Sequence, residues 1–258
     1  MRLMKRILSA AAVLALSASL LVGCSSGTAS SVPVSASSAA ESTVSSVEET
    51  ASYAVDENEA AAAQLLNDLT GSYQELWPVI LADEYKQTWL DDCTALVGED
   101  NAEAAFEKLS SMVTGDVYGE DAVKAYANGG GAYFCGFTNS LATLTFDGET
   151  STISGTDKDG NVLFSHTYHY IGMEPVRGLY EFQSDDADSG EFTYFFLAPD
   201  TSAETYHIEF RYGSDAEALS QYDTGEYAYW LASGISTDCD QTMIDNCIEL
   251  FCTENLAG

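Results

Sequence analysis

Between Gly178 and Gly213 the chain reads GLYEFQSDDADSGEFTYFFLAPDTSAETYHIEFRYG, three strand-like runs separated by two turns. Side chains in these runs alternate at period two, which predicts β-strands with unlike faces. In Glu191–Leu197 the aromatic face carries Phe192, Tyr194 and Phe196. In Thr205–Tyr212 the residues Tyr206, Ile208, Phe210 and Tyr212 stand opposite Thr205, His207, Glu209 and Arg211. The aromatic faces are the expected core.

The same reading extends upstream. Strands are expected at Tyr133–Phe137, Ser140–Phe146, Ser151–Ser154, Asn161–Ile171 and Gly178–Ser184, followed by Glu191–Leu197 and Glu204–Tyr212. Before them, apolar residues recur at helical spacing in Asp56–Leu69, Asp83–Val97, Ala102–Met112 and Glu120–Ala127, the last ending at Gly129-Gly130-Gly131. Thr237–Leu256 reads as a terminal helix with Asp238 or Asp240 near its start. Helices and then a long meander with hairpin turns predict a mainly β chain with N-terminal helices, a small closed antiparallel barrel and a C-terminal helix.

Two acidic turns invite a calcium reading and fail it on spacing. With Asp185 as position 1 of an EF-hand loop, Ala187 falls at position 3 and Phe196 at position 12, where oxygen ligands are required. The connection Ser184–Glu191, with Gly190, is instead a solvated hairpin loop. Asp157-Lys158-Asp159-Gly160-Asn161 is likewise a hairpin turn. There is no Gly-x-Ser-x-Gly elbow, phosphate loop or helical zinc-protease motif, so nothing in the chain supports an enzyme.

The order Trp77-Pro78 within LTGSYQELWPVI, helical text, Tyr168-His169-Tyr170-Ile171-Gly172, DDADSGEFTY, Tyr206-His207-Ile208 and a GSDAEAL helix start resembles the ZinT family of extracytoplasmic zinc-binding proteins. That family also forms the C-terminal module of some zinc-uptake lipoproteins. The resemblance runs from about Leu69 to Leu250. It implies a lipocalin-like calycin barrel with helices at its N-terminal side, holding zinc through three histidines. Two of these lie in a His-aromatic-His pattern on one strand, with the third in the loop before it. Here His207 matches the second histidine of the pair and Thr205 stands at the first, while Tyr194–Leu197 carries no histidine. The implied metal site is therefore incomplete.

The chain has only three histidines, His166, His169 and His207. His166 and His169 are three apart in a strand and point to opposite faces, so they cannot both place an imidazole at the roughly 2.0–2.1 Å that zinc requires. His166 shares a face with Phe164, Tyr168 and Tyr170 and is expected as a satisfied core residue, His169 as a polar strand residue. The candidate metal ligands are then His207 and Glu209 on the same face, with Glu204 at the strand entrance. The competing reading of His207 is an exposed rung of a polar ladder with Glu209 and Arg211.

Met1 to Arg6 is a basic segment, Ile7–Leu20 an apolar one too short to span a bilayer, and Leu21-Val22-Gly23-Cys24 a lipobox. Residues 1–23 are thus a lipoprotein signal peptide, with Cys24 the lipidated residue and the anchor to the membrane. Residues 24–55, rich in Ser and Ala, cannot bury enough apolar surface to fold and form a tether. Residues 56–258 are one calycin domain. The mature chain sets six basic residues against 41 acidic ones, a charge near −35 that disfavours nucleic acid and anionic membranes and concentrates cations. Five further cysteines remain, Cys93, Cys135, Cys239, Cys247 and Cys252, in no zinc-ribbon spacing. They are expected as small buried hydrophobes, with a disulfide from the terminal helix to Cys93 or Cys135 left open.

Together these features predict an extracytoplasmic, lipid-anchored protein that binds zinc or a similar divalent ion at a weakened site and serves a metal-uptake transporter. The alternative is a metal-free module whose barrel mouth, rich in Tyr and Phe, holds a small organic ligand or docks another envelope protein.

Overall fold

In the computed structural model the described residues are 57–198 and 207–257. The expected signal peptide and tether, with Cys24, and also Glu204 and Thr205 lie outside them. Eight strands close into one antiparallel barrel in chain order. They are β1 (Gly71–Glu75), β2 (Thr143–Asp147), β3 (Thr152–Thr156), β4 (Val162–Met173), β5 (Tyr180–Ser184), β6 (Tyr194–Leu197), β7 (His207–Gly213) and β8 (Ala232–Ser236). Closure comes from β1, which pairs with β2 on one side and β8 on the other, so no edge is left unpaired. The expected fold class, a closed barrel with helices before it and one after it, is the one observed.

Helix α1 (Glu57–Asp68) delivers Leu65 and Leu66, with Leu69 just beyond, into the barrel core. It comes so close to the β2–β3 turn that a Cβ on Gly148 would meet the Asn67 backbone at 2.4 Å. Inside the barrel, Phe146, Phe182, Phe195, Phe210 and Tyr212 are essentially fully buried. Their rings pack on one another, with Phe195 and Tyr212 stacked at 5.4 Å and Phe137 edge-on to Phe210 at 5.3 Å. The barrel interior is thus filled by the protein's own aromatic side chains.

A second apolar layer covers the outside of the barrel. It is built from α2 (Trp77–Ile80), α3 (Lys86–Val97), α4 (Glu99–Val113) and α7 (Gln241–Leu256), whose Ile80, Trp89, Leu109, Ile248 and Cys252 bury against one another. The Trp89 indole donates to the Ile80 carbonyl at 2.7 Å, tying α3 to α2. Helix α5 (Glu120–Ala125) and the short α6 (Ala216–Leu219) complete the α-helices among the described residues. Asp240 accepts from the Met243 amide at 3.0 Å to start α7, and Asp215 from Ala218 at 3.1 Å to start α6.

Three expectations are corrected. In β6 the inward residues are Phe195 and Leu197, opposite the interior Tyr212 and Phe210, while Phe196 pairs with Arg211 on the outer face. A 3-10 turn at Gly190–Phe192 shifts the phase, and a slip of one residue exchanges faces. Tyr133–Phe137 is no strand: Phe134 makes isolated bridges to Thr114 and Trp230. The anticipated Glu209–Arg211 surface ladder is also absent, because Arg211 is 0% exposed. Its guanidinium donates to the carbonyls of Leu219, Gln221 and Tyr227, pinning the loop after α6.

Candidate metal centre

Strand β7 places Ile208, Phe210 and Tyr212 in the barrel core and turns His207 and Glu209 outward, as the alternation predicts. On that outer face His207 is paired with Ile235 of β8, and Glu209 with Ser233. Ile235 belongs to the apolar layer under α7, so the two candidate ligands lie at the margin between barrel and helices and are each half-buried. An imidazole and a carboxylate two residues apart on one strand face project in the same direction.

Two buried thiols feel the charge of this carboxylate. Burial, reinforced by the charge of Glu209, pushes both Cys135 and Cys247 up to about 12. At neutral pH both are protonated, and a thiol is a poor zinc ligand until it loses that proton. Cys247 reaches the spot from α7, whereas Cys135 follows the Phe134 bridge.

The other two histidines are each taken by a carboxylate. His166 Nδ1 lies 2.6 Å from Asp186 Oδ2, and His169 Nδ1 lies 2.6 Å from Asp185 Oδ1. Because β4 and its neighbour both alternate, the consecutive aspartates reach histidines on opposite faces. His166 is largely covered, its ring stacked toward Phe164 at 5.9 Å, and His169 is exposed. His169 is the polar strand residue expected, whereas His166 lies at the margin of the core rather than in it, and the acidic turn is more than solvated: its first two carboxylates clamp β4 to the end of β5. Sequence reasoning missed this because neither pair has a spacing of its own; the signal was the Tyr168–Ser184 register that puts Asp186 opposite His166.

Zinc in a structural or transport site takes four donors, usually tetrahedrally. His207 and Glu209 offer at most two, and among the described residues no three His, Cys, Asp or Glu side chains converge on one point. The segment that immediately precedes His207, residues 199–206, is outside the described residues and includes Glu204. A groove of about 340 Å³ lies between α2 and the Thr114–Gly136 region, lined by Trp77, Pro78, Leu81, Val113, Thr114, Phe134 and Cys135. Its one charged side chain is Glu75, whose Oε1 is engaged by the Phe137 amide at 2.6 Å.

No family model matches the chain, and no curated protein matches it in sequence. Among solved structures it is similar to the Zn(II)-bound ZinT-like domain of AdcA from Streptococcus pneumoniae, at 15% identity and a TM-score of 0.45, over 71% of this chain and 89% of that one. It is also similar to Zn(II)-bound AdcA from the same organism, at 16% identity and a TM-score of 0.41, over 72% of this chain and 35% of that one.

Proposed function

We propose that this protein is an extracytoplasmic, lipid-anchored binder of zinc or a similar divalent ion, accessory to metal uptake, with a site weaker than a three-histidine centre. The observation that carries the reading is the side-by-side placement of His207 and Glu209 on the outer face of β7, half-buried beside the helical layer. A neutral imidazole nitrogen and a carboxylate oxygen are both zinc donors, and water or Glu204 completes the shell. The ordered motifs from Trp77-Pro78 to the GSDAEAL helix start support the family role. The large negative charge supports it physically, since it raises the local concentration of cations without selecting among them. The anchor rests on the lipobox ending in Cys24.

The deciding experiment is metal analysis with titration calorimetry on residues 50–258, compared with His207→Ala and Glu209→Gln. We expect one zinc per chain, with affinity reduced about tenfold or more by either substitution. Absence of stoichiometric zinc from the unsubstituted protein overturns the reading, and unchanged affinity in His207→Ala moves the ion elsewhere. Fractionation of cells carrying Cys24→Ala checks the anchor: the protein should leave the membrane fraction.

A further inference from the structure

Among the described residues, Cys93 on α3 and Cys252 on α7 bring their sulfurs to 3.9 Å. Both side chains are 0% exposed and lie in the apolar layer outside the barrel. The two helices pack face to face there, Phe251 seating its ring 5.9 Å from Trp89 of α3 and 4.8 Å from Trp77 of α2. The other three free cysteines stand apart from this pair, Cys135 and Cys247 at the Glu209 margin and Cys239 half-buried ahead of α7.

The interface also contains a conflict. Asp92, next to Cys93, is held above the usual carboxylate range by burial and then by Glu249 and Asp245 on α7, and its Oδ2 has no hydrogen-bond partner. Helix α7 therefore docks against like charge. Its apolar face holds it in place, and a covalent tie at the centre of that face would oppose the repulsion directly.

We propose that Cys93 and Cys252 are a disulfide-forming pair that locks the C-terminal helix onto α3. A bond of about 2.05 Å requires the two sulfurs, now 3.9 Å apart, to approach by a little under 2 Å. The chemistry is thiol–disulfide exchange with an external disulfide oxidant. The thiolate of one cysteine attacks a sulfur of the oxidant and releases one thiol. The thiolate of the other then attacks the mixed disulfide and releases the second, so two cysteine thiols are oxidised and one disulfide is reduced to two thiols. Because burial raises both thiols and shields them from any oxidant, the exchange takes place while α7 is undocked, and docking then protects the product. The closed loop spans 159 residues of sequence and takes in β2 to β8, the regime in which a cross-link restricts the unfolded chain most.

The bond requires no bound metal and is tested without one. The full chain is reduced, unfolded and refolded with oxidised glutathione as the disulfide oxidant, then denatured, alkylated without reductant and digested for peptide mass spectrometry. The expected product is one linked peptide pair carrying Cys93 and Cys252, lost on reduction, with Cys24, Cys135, Cys239 and Cys247 alkylated. Reduction should lower the Tm by about 5–15 °C in the unsubstituted chain and leave Cys252→Ala unchanged. Alkylation of both Cys93 and Cys252 in the refolded chain overturns the proposal, as does pairing of either with another cysteine. Zinc binding by the same preparation is scored separately, so failure of the metal reading leaves this result untouched.

Discussion

Arg211 shows how far a single residue can depart from the role its neighbours suggest. It alternates in register with His207 and Glu209, yet its charge is removed from solvent and divided among three backbone carbonyls and the face of Tyr222, whose ring centre lies 4.4 Å from the guanidinium carbon. Arg177 stacks on the same ring at 4.2 Å, so two of the chain's nine basic residues meet at one tyrosine. Burial lowers Arg211 to about 10, which leaves it charged at neutral pH. Replacing it with Ala strands the carbonyls of Leu219, Gln221 and Tyr227 inside the protein. At roughly 1–3 kcal/mol for each buried polar group left unsatisfied, and with some relief from water entry, Arg211→Ala should cost about 3–5 kcal/mol in denaturant unfolding. A loss under about 1 kcal/mol would mean that the loop after α6 is held by its apolar contacts instead.

At the scale of elements, what could be read from the chain depended on whether one face of a strand differs from the other. Strands β4 and β7 have unlike faces, and both were legible with the correct side inward. Strand β8, with the sequence ASGIS, is buried on both faces and built of small residues, so it shows no alternation. Strand β1, GSYQE, contributes one large inward residue, Tyr73, and reads as a loop. Both were missed, although together they close the barrel. In β6 the alternation was seen but its phase was reversed, because three apolar residues in a row, Phe195, Phe196 and Leu197, are all buried and the sequence cannot rank them. The site followed the same logic. His207 and Glu209 were placed on the right face by period two, whereas their partial burial beside β8 depends on pairing between segments far apart in sequence. The phase of β6 is directly measurable. Phe195 touches Phe164, Phe210 and Tyr212, while Tyr194 is only half-buried, so Phe195→Ala should cost about 3–5 kcal/mol and Tyr194→Ala clearly less. Equal losses, or the reverse order, would restore the face read from the alternation alone.

At the scale of the whole molecule, a closed barrel solves the problem of strand edges, and a strongly one-signed surface creates another. With 41 acidic residues against nine basic ones, the folded chain gathers repulsion that the expanded chain relieves. Local pairing does little to offset it: Lys124 is shared by Glu120 and Asp121 on an exposed helix, where such contacts contribute little. The repulsion acts over distances comparable to the Debye length, about 30 Å at 0.01 M salt and 8 Å at 0.15 M. Stability should therefore rise with ionic strength, the opposite of a protein held together by surface ion pairs. In thermal melts of residues 50–258 we expect Tm to increase by several degrees between 10 and 150 mM NaCl. Millimolar magnesium should produce the same rise at far lower ionic strength, since divalent ions accumulate near a negative surface more strongly than sodium does. His207→Ala should leave the magnesium effect intact, because a diffuse ion atmosphere has no ligand to lose. If the variant abolishes it, the effect belongs to the His207–Glu209 centre, and the stabilising cation is a bound one.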